Sequence, residues 1–212
     1  MDAVIQGIQL FQKGGLVMYI LLLCSIFVVY TGIERLLFFR KMDSGRRFAA
    51  AYYAHLKGGQ EEAGFQMARR HQGDLARILT EALDPSVANG GAVSDFCDIQ
   101  SGIAIAKLRE HLYYLNIIVT MAPLLGLLGT ISGMIRSFSV FNLESGQAVA
   151  ITGGVGEALI ATAMGLCVAI LALVIHAAFM QWLDHIITDM ELCFSALELR
   201  LRSYGRKGSD PA

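Results

Sequence analysis

Charge is scarce in this chain. Only 17% of its 212 residues are Asp, Glu, Lys or Arg, against roughly 25% in a soluble domain. Hydrophobic residues make up 55% and the mean hydropathy is +0.53, which points to an integral membrane protein. No sign of charge dominates either. A formal net charge of -1 supplies no electrostatic basis for binding nucleic acid, which asks for a basic surface, so the partners are protein or lipid. The motifs of common chemistries are also missing. Cys24, Cys97, Cys167 and Cys193 lie far apart with no C-x-x-C pair and read as reduced packing residues. The histidines form no H-E-x-x-H or similar ligand spacing, and Gly153, Gly154 and Gly156 lack the Lys-Ser/Thr of a P-loop. No metal, no cofactor and no ATP-driven or hydrolytic step is expected, and the chain is not read as an enzyme.

Long apolar runs are what the chain has instead. Leu16 to Ile33, "LVMYILLLCSIFVVYTGI", is long enough to cross about 30 Å of hydrocarbon at about 1.5 Å per residue. A signal peptide is the competing reading. It is disfavoured because the basic residues Arg35, Arg40, Lys41, Arg46 and Arg47 follow the run and no A-x-A pattern ends it. A second span covers Leu115 to Phe141, and a third runs from Ile151 to Phe179. Only "NLESGQAV" joins them, so the two must pack as an antiparallel hairpin.

Positive charge sets the expected orientation. Lys and Arg follow the first span, precede the second (Lys107, Arg109) and follow the third (Arg200, Arg202, Arg206, Lys207), whereas the link has neither. That places the N-terminus and the link outside and the C-terminus in the cytoplasm. The expected divisions are an outside tail at 1–15, a first transmembrane helix at 16–39, a cytoplasmic helical domain at 40–112, a hairpin at 113–182 with its outside link at 142–149, and a cytoplasmic helix and tail at 183–212. Within the cytoplasmic segment a turn-rich "DPSVANGG" separates two helical patterns, Phe48, Tyr52, Leu56 before it and Phe96, Ile99, Ile103, Ala106 after it. The second pattern is expected to continue into the second span as one helix. Trp182, Ile186, Met190, Leu197 and Leu201 extend the third helix beyond the membrane in the same way. The fold class expected is all-α, with three transmembrane helices, two of them extended into a cytoplasmic bundle.

Several residues are out of place in oil. Folding the hairpin near Ser145 puts Thr130 about 15 residues up one arm and Thr162 about 17 down the other, close to one depth. Thr130 and Ser137, seven apart, share a helix face with Met134 between them. A threonine here can be structural, bonding the carbonyl one turn back. Glu157 is harder to reconcile with lipid: a carboxylate at that depth costs several kcal/mol unless paired, hydrated or protonated, so it must face protein or water. An interhelical hydrogen bond is its structural alternative. Arg136 falls near the depth of Glu157 and is a candidate ion-pair partner, unless it snorkels to the outer headgroups. Gly126, Gly129 and Gly133 on one arm, with Gly154, Ala158, Ala161, Gly165 and Ala169 on the other, let helices approach closely.

At these residues the sequence resembles the MotA/TolQ/ExbB proton-channel family, above all its ExbB and TolQ branches. "APLLGLLGTISGMIRSF" is similar to the second-span pattern A-P-L/F-x-G-L-x-G-T-x-x-G-M/I, and "GEALIATAMGLCVAI" to the third-span E-A-L-x-A-T-A-x-G-L core; the "ER" of Glu34 and Arg35 ends the first span. Three spans look like ExbB or TolQ, since MotA has four. The resemblance implies a homo-oligomeric ring, a pentamer, in the bacterial inner membrane. That ring would surround an ExbD- or TolR-like single-span protein whose membrane aspartate carries the proton, and act on a TonB- or TolA-like protein. By motif match Thr130, Glu157 and Thr162 take the pore-lining positions. Pro123, Leu127, Met134, Ser137 and Arg136 are secondary candidates for the pore face; the family often has a neutral polar residue where Arg136 stands. TonB-type transport is the leading assignment, with TolQ-type envelope maintenance, a gliding motor or a passive membrane scaffold as alternatives. A secondary transporter would want an internal repeat, and none is found.

Overall fold

The structure, a computed structural model, describes residues 15–84, 93–141 and 148–207; within these, the side chains at 139–141, 148–154, 157 and 202–207 are not described. All of the expected tail at 1–15 except Gly15, most of the turn-rich stretch, and residues 142–147 of the expected link at 142–149 therefore lie outside the described residues. Helices run over Gly15–Met42 (α1), Arg46–Lys57 (α2), Glu61–Arg70 (α3), Asp74–Ala82 (α4), Val93–Arg109 (α5), Leu112–Phe141 (α6) and Ala148–Lys207 (α7). No strand occurs among the described residues. Three helices are long and apolar enough to cross a membrane, and the protein is a multi-pass, all-helical membrane protein.

The chain divides into two compact units, one of residues 1–33 and 111–178, the other of 34–110 and 179–212. In the first unit the upper part of α1 packs on α6 and α7. Its buried positions Met18, Leu21, Val28 and Thr31 recur three to seven residues apart on one stripe, while Leu16, Leu23, Ile26, Tyr30 and Ile33 are exposed. A soluble domain rarely leaves so much contiguous apolar surface uncovered, whereas lipid tails cover it at no cost. Phe27 meets Tyr114 edge-on at 6.4 Å. Gly32 lies where an added Cβ would touch Ile175 at 3.4 Å.

The second unit has the opposite pattern, an apolar interior under a charged surface. Phe48, Tyr52 and Leu56 of α2 are buried as their spacing predicts, as are Ile186, Met190 and Leu197 of α7; Trp182 is half-buried. Phe39 is fully buried against Phe179 and Trp182, at 5.2 and 5.5 Å. The α1–α2 link is fixed by Asp43, whose carboxylate accepts the Gly45 amide and the Trp182 indole, each at 2.7 Å. Ser44 is buried next to Gly73, whose φ of +111° only glycine adopts readily. Its hydroxyl accepts the Ala76 amide at 3.2 Å, so the first turn of α4 is capped from 32 residues away.

Two expectations for α5 need correction. The buried residues are Val93, Cys97, Ala104 and Leu108, while Ile99 and Ile103 are 63% and 46% exposed and Ala106 faces out too. Nor does α5 run unbroken into the second span, because a turn at Glu110 and His111 separates it from α6. The break coincides with a contact from α1. Arg35, 3% exposed, donates from Nε and Nη2 to Glu34 and from Nη1 to the carbonyl of Lys107 at 3.1 Å, taking one of the last-turn acceptors of α5.

Candidate functional site: the α6–α7 hairpin

Helices α6 and α7 meet where neither has bulk. A Cβ added at Gly126 would fall 3.0 Å from the Thr162 Cα and 3.1 Å from the Ala161 carbonyl oxygen. At Gly129 it would meet the Ala161 methyl at 2.5 Å, at Gly133 the Ala158 methyl at 3.0 Å, and at Gly165 the Ala122 carbonyl oxygen at 2.6 Å. These contacts set the register of the hairpin, with Ala122 level with Gly165, Gly126 with Thr162, Gly129 with Ala161 and Gly133 with Ala158. Thr130 then lies roughly one helical turn, or about 5 Å, from the level of Thr162.

Contact this close brings polar backbone within reach of a side chain. Thr162 donates from its hydroxyl to the carbonyl of Gly126 at 3.1 Å, a bond between the two arms that no bulkier residue at 126 would permit. The Gly126 carbonyl is therefore a member of the site that side-chain patterns do not reveal; a threonine on one arm level with a glycine on the other is the signal that could have found it. The other hydroxyls turn back on their own helix. Thr130 donates to Leu127 at 2.7 Å, Ser132 to Gly129 at 3.0 Å and Ser137 to Gly133 at 2.9 Å.

The remaining candidates spread around α6. Leu127 and Met134 are exposed, Thr130 and Pro123 half-buried, and Ser137 is buried, so the Thr130–Met134–Ser137 row is not one open face within a single chain. Arg136 is exposed in the C-terminal part of α6, and its guanidinium lies against Gly15, where an added Cβ would be 2.9 Å from Nη2. Glu157 is in α7 one residue from Ala158 and hence near Gly133, but its side chain is outside the described residues, and with it the expected pairing to Arg136. Among the described residues no group of His, Cys, Asp and Glu is arranged to hold a metal ion.

A three-span protein whose α6–α7 hairpin is lined with glycine and carries hydroxyls at its contact matches one family model. Residues 70–192 fit that of the MotA/TolQ/ExbB proton channel family. The chain belongs to this family. It is 34% identical over 174 residues to the biopolymer transport protein ExbB-like 1 of Synechocystis, covering 78% of this chain and 67% of that protein. It is 27% identical over 188 residues to an ExbB homolog of Methanothermobacter thermautotrophicus, covering 87% and 67%. A third relative is the biopolymer transport protein exbB1 of Vibrio cholerae, 26% identical over 201 residues and covering 91% and 87%. As a member of the ExbB branch the chain is a membrane subunit of a proton-channel energy-transducing system, working with partner proteins in a complex, and it is not an enzyme.

Proposed function

We propose that this chain is the ring-forming stator subunit of an inner-membrane proton channel. With an ExbD- or TolR-like single-span partner that carries a membrane aspartate, it converts the proton motive force into mechanical work on an envelope system, TonB-type transport first. The ring is a homopentamer, the N-terminus lies outside, and the C-terminus lies in the cytoplasm, as the Lys and Arg distribution favours. The observation that carries the reading is the Thr162 hydroxyl held on the Gly126 carbonyl, with Thr130 one turn away. In this reading both hydroxyls can exchange these backbone acceptors for the partner's carboxylate or a bridging water, and Glu157 tunes the hydration and field of the path. One elementary charge crossing 100 mV releases about 2.3 kcal/mol, enough to bias a step but not to unfold a helix.

The rival is a passive scaffold that organises an envelope complex without moving protons. It is favoured by the Thr130 hydroxyl bonding its own Leu127 carbonyl, as a purely structural threonine would. Proteoliposomes of the chain with its partner separate the two. Thr162→Val and Glu157→Gln assemble with the partner but lose potential-driven proton flux and the driven process. Full function in both variants with assembly intact overturns the stator reading.

A further inference from the structure

The end of the first span carries a charged patch that neither the proton path nor the cytoplasmic core uses. Arg40 and Lys41 stand in the last turn of α1 and Arg46 and Arg47 in the first turn of α2, and all four side chains are exposed. The only acid in the intervening link is Asp43, and both its oxygens are engaged inward, by the Gly45 amide and the Trp182 indole. No acid occupies the first turn of α2, and Gly45 caps it without a side chain. From α7, Asp189 is near enough to Arg46 for their charges to interact.

Two further features orient the patch toward lipid. Leu36 and Leu37, 38% and 64% exposed, lie one turn before Arg40 and Lys41 on the same helix. An apolar strip therefore leads directly into the cations, matching an acyl chain followed by a phosphate. The second feature is the link itself. Asp43, Ser44 and Gly45 are held by Trp182, Ala76 and the Gly73 turn, so the two pairs of cations are presented from a fixed elbow and not from a loose tail.

We propose that the α1–α2 elbow is a binding site for the phosphate headgroup of an anionic phospholipid, with Arg40, Lys41, Arg46 and Arg47 as its cationic wall and Leu36 and Leu37 against the acyl chains. Each cation near a membrane surface contributes roughly fivefold to affinity for anionic lipid, so four on the two helix ends that flank one fixed elbow select for it over a zwitterionic headgroup.

The test uses the detergent-purified full-length chain and native mass spectrometry, with short-chain phosphatidylglycerol, short-chain phosphatidylcholine and inorganic phosphate as separate probes. Phosphatidylglycerol binds at least about tenfold tighter than phosphatidylcholine, and inorganic phosphate competes weakly because it lacks the acyl contacts. Replacing all four cations by Gln reduces the preference to about twofold or less, whereas Arg46→Lys with Arg47→Lys retains it, which separates loss of charge from loss of fold. Gln at Lys57, exposed at the other end of α2, leaves the preference unchanged. Equal binding of the two lipids, an undiminished preference in the four-Gln variant, or displacement by inorganic phosphate as effective as by phosphatidylglycerol overturns the proposal.

Discussion

Replacing Gly165 by alanine is the most exacting check on the hairpin. The new methyl would lie 2.6 Å from the Ala122 carbonyl oxygen and 3.0 Å from the Gly126 Cα. Both are backbone atoms, so no rotamer change relieves the clash and the helices must part by about 0.8 Å, a gap that forfeits a quarter to a half of each lost dispersion contact. Overpacking of this kind costs roughly 1–3 kcal/mol, and the better helix propensity of alanine returns roughly 0.8–1 kcal/mol. Separation also stretches the Thr162 bond to Gly126, at 3.1 Å already near the end of its range; such interhelical bonds average about 0.6 kcal/mol. The expected net loss is about 0.6–2.8 kcal/mol, read from reversible SDS unfolding in mixed micelles followed by circular dichroism. A double-mutant cycle adds the mechanism: Thr162→Val costs about 0.6 kcal/mol in the parent and close to nothing in the Gly165→Ala background. Gly102→Ala is the control, since a Cβ there meets nothing within 4 Å, and it should stabilise by up to about 1 kcal/mol. Wild-type stability in Gly165→Ala, together with an unchanged cost for Thr162→Val, would refute the close-packing account.

Other perturbations bear on the second unit. Arg35→Met removes the guanidinium bonds to the Glu34 carboxylate and the Lys107 carbonyl, and because Glu34 is partly solvated the loss should be about 2–3 kcal/mol by denaturant titration. Trp182→Phe keeps an aromatic ring against Phe39 but removes the indole bond to Asp43; a loss of about 1.5–3 kcal/mol is expected, and an unchanged midpoint would show that the link is held elsewhere. Cys97 and Cys193, 2% and 0% exposed, should resist maleimide in the folded protein and react on unfolding, while the exposed Cys167 reacts with a membrane-permeant maleimide throughout.

Much of this protein was readable before any coordinates. Three spans follow from the length of the apolar runs, because a bilayer imposes a minimum length on anything that crosses it and leaves no unpaired backbone in oil. The buried stripe of α2 follows from Phe48, Tyr52 and Leu56, since three- and four-residue spacing permits only one face inward. Depth along the hairpin was also accessible: helical rise is constant, so counting from the link places Thr162 close to Thr130, and the observed Gly126–Thr162 contact agrees within a turn.

What the sequence could not determine is which of several compatible faces is used. The apolar residues Ile99 and Ile103 on α5 have the spacing of a buried stripe, yet Cys97, Ala104 and Leu108 are the ones inside. The choice depends on what the rest of the fold offers α5, and periodicity carries no information about that. The turn at Glu110 and His111 likewise coincides with Arg35 reaching a carbonyl 72 residues away, and the acceptor of Thr162 is a backbone oxygen on another helix. Composition and spacing determined that this chain crosses a membrane in helices and which hydroxyls lie near one level of the hairpin. Only the tertiary structure decided what those hydroxyls bond, because a hydrogen bond needs two groups within about 3 Å and sequence distance says little about which groups meet.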